Sequence, residues 1–138
     1  MKFFIIIIPF IYNYIYLFNR KSKIFKVYRK WLFPFLCTLL GLLYVILAPD
    51  SNGTERTIEI WAFFTPFIFT IYLSLSSLLS KYFNHRDFIL YLRYSDEIDY
   101  LNPKKSNAKS LDKFISYFSI FFILFLPFII LLFKNKIL

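Results

Sequence analysis

The stretch IWAFFTPFIFTIYLSLSSLLS (60–80) contains no charged residue over 21 positions. A helix needs ~20 apolar residues to cross a ~30 Å hydrocarbon core, so this run is long enough. At ~100° per residue, Ala62, Thr65, Pro66, Thr70, Ser74, Ser76, Ser77 and Ser80 share one half of the helical wheel. Phe63, Phe69 and Leu73 intrude on that half. The other half is large throughout: Ile60, Trp61, Phe64, Phe67, Ile68, Ile71, Tyr72, Leu75, Leu78 and Leu79. In water this pattern would waste the hydrophobic effect. In lipid it does not, because acyl chains are as apolar as leucine and helices associate through small residues and hydroxyl groups. The small half is therefore expected to meet protein and the large half lipid.

The rest of the chain agrees with that reading. Of 138 residues, 59% are hydrophobic and 24% aromatic, well above the roughly 45–50% apolar content of a soluble domain. A globule of this length has too little interior to hide them. Further apolar runs lie at 3–18, 31–48 and 114–133. The expected fold is all-α: a single membrane domain, 1–138, forming a bundle of four transmembrane helices. The first is the short one, since 16 residues reach only about 24 Å. The opening MKFFIIIIPF (1–10) has a signal-like apolar run but no small-residue cleavage site, so it is expected to be retained.

Charge sets the direction. Connectors 19–30 and 81–113 hold 13 of the 17 Lys and Arg residues. The positive-inside rule puts both in the cytoplasm and loop 49–59 outside, most naturally in a bacterial cytoplasmic membrane. The net charge of +9 is thus read as topology; no nucleic acid is expected as a partner, because a 12-residue basic loop tethered to a bilayer has no groove-reading element.

Each span carries a Pro-Phe pair: Pro9-Phe10, Pro34-Phe35, Pro66-Phe67 and Pro127-Phe128. Proline removes a backbone donor and frees the carbonyl one turn earlier, which neighbouring Ser or Thr can satisfy. The following Phe, ~100° round the helix, would wedge against a neighbour. Pro34, Cys37, Thr38, Gly41 and Ala48 share an arc of the second span, Ser116, Ser119 and Pro127 a face of the fourth, and Pro9 and Asn13 a face of the first. The expected helix-contact face is Pro34, Cys37, Thr38, Gly41, Ala48, Ala62, Pro66, Thr70, Ser74, Ser77, Ser80, Ser116, Ser119 and Pro127.

No Asp, Glu, Lys, Arg or His falls inside a span, Glu59 being at the outer boundary. Ion-coupled transport and intramembrane catalysis need such groups. With one cysteine and one histidine, neither a disulfide nor a metal centre is expected. No catalytic residue, cofactor or enzymatic activity is predicted.

The connectors remain. KSKIFKVYRKW (21–31) reads as a positive-inside loop with snorkelling lysines; as a helix it would place Ile24, Phe25, Val27, Tyr28 and Trp31 on one side and could lie on an anionic leaflet. DFILYLRY (87–94) reads as a short strand or an interfacial helix; Asp96, Glu97 and Asp99 read as solvated charge; Ser110 is a candidate cap for the last helix. The run FILYLR (88–93), followed by acids, resembles the opening strand of cytoplasmic domains attached to some bacterial membrane proteins. The likeness is too short to assign any residue a role.

The function expected is that of a non-enzymatic accessory or assembly partner working by helix-helix contact, with the lipid bilayer and a membrane protein, or a second copy, as partners. The third span's small half exceeds what one neighbouring helix needs. Two alternatives stand beside it. Small size, basic charge, three or four spans and minimal loops resemble the architecture of bacteriocin immunity proteins, which would imply protection against a pore-forming toxin. An oligomeric channel or passive carrier would use Asn13, Thr70, Ser74 and Ser77.

Overall fold

The computed structural model describes the backbone of residues 2–25, 28–47, 53–93, 95–98 and 107–137, and the side chains of 7–25, 28–47, 53, 56–93, 95–98 and 107–125. These residues form four α-helices and no strand: α1 (Lys2–Asn19), α2 (Arg29–Leu47), α3 (Thr54–Asn84) and α4 (Ser110–Ile137). Two helices are long and apolar enough to cross a membrane, α2 and the part of α3 over Arg56–Asn84.

α1, α3 and α4 extend past their apolar runs at both ends, and α2 at its start. The largest extension is in α3, 31 residues or roughly 46 Å, against the 60–80 read from hydropathy. The polar residues TERTIE before Ile60 and KYFN after Ser80 favour no other local structure, so the helix continues into them. It ends at His85, whose φ of 56° is left-handed, the conformation that closes many helices.

Ring contacts fix the helix directions. Phe69 and Tyr72 meet Phe122, and Arg86 meets Asp112, so α4 runs antiparallel to α3. Trp31 meets Phe67 and Tyr44 meets Phe63, so α2 is antiparallel too. Tyr16 meets Phe69 and Arg20 meets Asp87, so α1 runs with α3. The end of α1, the start of α2, the end of α3 and the start of α4 therefore lie at one end of the bundle, where both basic connectors are found.

α3 is the central element, packed on α1, α2 and α4. Phe69 and Leu73, two of the large residues on its small half, form a core with Tyr16, Leu17, Phe122 and Ile123. Phe63 fills the third such position, over Gly41, where a Cβ would sit 2.8 Å from the Cβ of Phe63. Those bulky residues are where the neighbouring helices dock. On the outer half Ile71, Leu75, Leu78 and Leu79 are exposed, whereas Tyr72 turns to α4 and donates its hydroxyl to Ile115 O at 3.1 Å.

The connector 21–31 is not one amphipathic helix. It makes a single 3-10 turn, Lys23–Phe25, and α2 begins at Arg29. Phe25 packs on the core while Ile24 and Tyr28 are exposed.

Candidate functional site

The expected contact face is largely interior. Pro34, Cys37 and Gly41 on α2, Ala62, Pro66, Thr70 and Ser80 on α3, and Ser116 and Ser119 on α4 are buried. Thr38, Ser74 and Ser77 are half-buried. Ala48 and the side chain of Pro127 lie outside the described residues. The small half of α3 has three neighbours within its own chain, not one, and they account for most of its width.

Pro34 is served differently from the simple expectation. Pro34 has no N–H to offer Lys30 O, and the Tyr12 hydroxyl of α1 donates to that carbonyl at 3.1 Å. The partner is a tyrosine from another helix, since Ser and Thr bond within their own turn: Thr38 to Pro34 O, Thr70 to Pro66 O, Ser116 to Asp112 O and Ser119 to Ile115 O. Phe67 meets Trp31 and Phe10 packs on the core, but Phe35 points away from the bundle. A residue one step beyond the contact arc can turn to either side of it.

The connector after α3 holds the least expected arrangement. Residues 87–91 belong to no helix or strand and run into a tight turn in which Leu92 N–H bonds Leu90 O at 3.0 Å; Phe88 and Leu90 are fully buried and Asp87, Ile89 and Tyr91 half-buried. This period-2 alternation is that of a strand, yet no strand pairs with it. Side chains take the place of a ladder. Phe88 N–H donates to Asp87 Oδ1, Ile89 N–H to Asp112 Oδ1, Leu90 N–H to Glu97 Oε2 and Tyr91 N–H to Ser116 Oγ. On the carbonyl side, Arg20 donates to Phe88 O and Arg86 to Asp87 O. Among the described residues, 87–93 of this stretch thus form neither a paired strand nor an interfacial helix.

Two ion-pair clusters hold this segment to the helix ends. Arg20, one residue past α1, bonds Asp87 at 3.0 Å and Glu97 at 2.8 Å, and its guanidinium carbon lies 3.6 Å from the Phe88 ring centroid. Lys21 joins Glu97 at 2.8 Å. Glu97, its side chain only 10% exposed, is therefore a paired acid and not solvated charge; Asp96 is exposed, and Asp99 lies outside the described residues. Burial pushes the Asp87 carboxyl up, but the Arg20 charge and hydrogen bonds from Ser77, Arg20 and Phe88 N–H outweigh it and hold the acid below its ordinary range. At the other cluster, Asp112 accepts from Arg86 at 2.8 Å and reaches back to Lys109 N–H at 2.8 Å. That is the acidic half of a capping box, so Asp112 caps α4 in place of Ser110. An acid in the first turn of the last apolar helix was the available signal.

At the opposite end, Glu59 is buried within α3 and accepts the Tyr44 hydroxyl of α2. Asn13 is fully buried on α1, and both polar atoms of its side chain lack a partner. Among the described residues no three His, Cys, Asp or Glu side chains converge as metal ligands would.

One cleft, of ≈ 480 Å³, opens beside the Arg20 cluster between the end of α1, the 3-10 turn and α3. Arg20, Lys21 and Lys30 line it together with Ser22, Ser74 and Ser77. Two residues of the predicted contact face thus border a cavity and not a helix. No family model, no curated protein and no solved structure matches this chain.

Proposed function

We propose that the chain is a small, non-enzymatic protein of the bacterial cytoplasmic membrane that acts as an accessory or assembly partner through helix contact. All four helices cross the bilayer in this reading, with 19–30 and 81–113 in the cytoplasm and the α2–α3 turn outside. The observation that carries membrane embedding is the inverted distribution of side chains. Asn13, Thr65, Thr70, Ser80, Ser116 and Ser119 are buried, while Leu39, Leu43, Leu75, Leu79, Phe121 and Leu124 are exposed. Water would favour the reverse, and lipid favours this. α1, at 18 residues or about 27 Å, is close to the ~30 Å it must cross. The pairing of Arg20 with Asp87 and Glu97 supports the sidedness, because it joins the two basic connectors at one end of the bundle.

With the small half of α3 occupied from within, a partner would meet the outer faces of the helices, and those of α2 and α4 carry the most exposed large side chains. On α4 the rings of Phe114, Phe118, Phe121 and Phe125 stack successively along one exposed side.

Two measurements test the reading. In a Cys37→Ser background, a cysteine at Gly53 reacts with an impermeant maleimide in intact cells, whereas cysteines at Ile24 and Asn107 react only after permeabilisation. The reverse labelling overturns the topology. Photo-crosslinkers at Leu39 and Phe121 yield one discrete protein adduct whose partner needs this chain to accumulate; adducts to lipid alone overturn the partner role.

A further inference from the structure

We infer that the cleft between α1, the 3-10 turn and α3 binds the phosphodiester of an anionic phospholipid headgroup. The inference rests on the membrane reading above and adds a ligand to it.

Charge balance is the first support. Arg20, Lys21 and Lys30 line the cleft, with Asp87 in its wall and Glu97 behind it. Arg20 is committed to both acids and Lys21 to Glu97. Three positive charges against two negative leave one, and a phosphodiester carries one negative charge. Lys30, whose ammonium lies 5.7 Å from the Trp31 ring, is the cation not held by either acid.

Unpaired polar atoms are the second. Arg20 Nε, Ser22 Oγ and Ser74 Oγ are all buried without a hydrogen-bond partner, and all three residues line the cleft. The Arg20 side chain is only 7% exposed, so water does not reach it freely. Orphaned buried donors are rare enough to require an explanation. Phosphate oxygens accept from a guanidinium N–H and two hydroxyls, and charge-assisted bonds of this kind are the strong ones.

Position and shape are the third. The opposite wall is Tyr16, Phe25 and Leu73, an apolar surface on which the first carbons of an acyl chain can lie. The cleft sits at the end of the bundle where the basic connectors meet, which is headgroup height in the proposed topology. A cavity of ≈ 480 Å³ falls in the ~300–1,000 Å³ range of small-molecule sites, enough for a phosphate with its glycerol.

The test uses the full chain in a neutral detergent, with unfolding midpoints recorded against added phosphatidylglycerol, phosphatidylcholine or inorganic phosphate. Phosphatidylglycerol is expected to raise the midpoint and phosphatidylcholine is not. Lys30→Gln and Ser74→Leu, checked for an unchanged midpoint without lipid, weaken that binding about tenfold, since each removes a contact to a charged group. Lys109→Gln, a charge change away from the cleft, leaves it intact. Native mass spectrometry of the unaltered chain, counting retained lipids, gives a readout independent of the variants. Equal effects of the two lipids, or full lipid preference in both cleft variants, overturn the inference. A rise with inorganic phosphate as large as with phosphatidylglycerol keeps the phosphate chemistry and overturns the lipid source. A chain that stays in membranes yet ignores headgroup charge loses the cleft ligand only, not the membrane reading.

Discussion

The guanidinium of Arg20 lies over the ring of Phe88 at 3.6 Å and donates to Phe88 O, so the end of α1 is clamped to a segment 68 residues further on. Replacing Arg20 by Met keeps most of the stem and removes the charge, leaving the largely covered Glu97 with Lys21 as its cation and Leu90 N–H as its backbone donor. Breaking a buried pair on one side costs about 3–5 kcal/mol. Denaturant midpoints in detergent are expected to fall accordingly. Arg20→Met with Glu97→Gln should cost less than the two single changes added together, and strict additivity would mean the pair is not coupled.

The amides of Ile89 and Tyr91 are predicted to exchange slowly with solvent deuterium although they lie in a connector, because Asp112 and Ser116 accept them. Ser116→Ala strands the Tyr91 N–H, a loss of about 1–3 kcal/mol for a buried unsatisfied donor. Exchange should quicken at Tyr91 and much less in the middle of α2. Uniform exchange across the connector in the unaltered chain would contradict the bonding.

Acid should loosen this segment before it unfolds the helices. Asp87 has a carboxyl held below its ordinary value of 3.8, so the unfolded chain binds more protons than the folded one and stability rises with pH. The contribution is complete above about pH 5 and is lost as pH falls below 3.8 through the lowered value. Proteolysis within 86–98 at graded acidity measures it. Asp87→Asn is expected to be cut more readily at neutral pH and to lose the Asp87 share of the acid dependence.

Gly41 tolerates no methyl without movement, since its contact is the Cβ of Phe63, which cannot swing aside. Overpacking costs about 1–3 kcal/mol, offset by the roughly 0.8–1 kcal/mol by which Ala favours a helix over Gly. Gly41→Ala should therefore destabilise by about 0–2 kcal/mol, toward the upper end because the clash is with a Cβ. Gly41→Ala with Phe63→Ala should recover the steric part, which a double-mutant cycle reads directly.

Asn13 offers the opposite expectation. Its amide is buried without partners, and Leu has the same branching and atom count. Asn13→Leu should raise stability by about 1–3 kcal/mol, the cost of an unsatisfied buried polar group. A fall would reveal a buried water bonded to the amide.

The helices were legible because apolar length and wheel pattern are local properties. Their ends were less so: hydropathy marks where lipid should stop, and α3 runs on through polar residues at both ends. Pro34, Cys37 and Gly41 were readable as interior because small size at a shared angle has one sensible use in hydrocarbon. The connector segment was not. Its alternation is visible in DFILYLRY, but the acceptors that hold it come from Glu97, Asp112 and Ser116, and its clamp from Arg20. No window of sequence contains them all. Glu59 was assigned to the boundary because nothing near it in sequence announces Tyr44 as its partner.

The row of amides along 88–91 carries one more consequence. A lone strand-like edge normally recruits another chain, and here each N–H in that row already has a side-chain acceptor, Asp87, Asp112, Glu97 and Ser116 in turn. The masking of Ile89 and Tyr91 depends on the start of α4 being seated. A chain in which α4 has not docked leaves those two amides without acceptors, so incomplete assembly turns a blocked surface into one that invites aggregation.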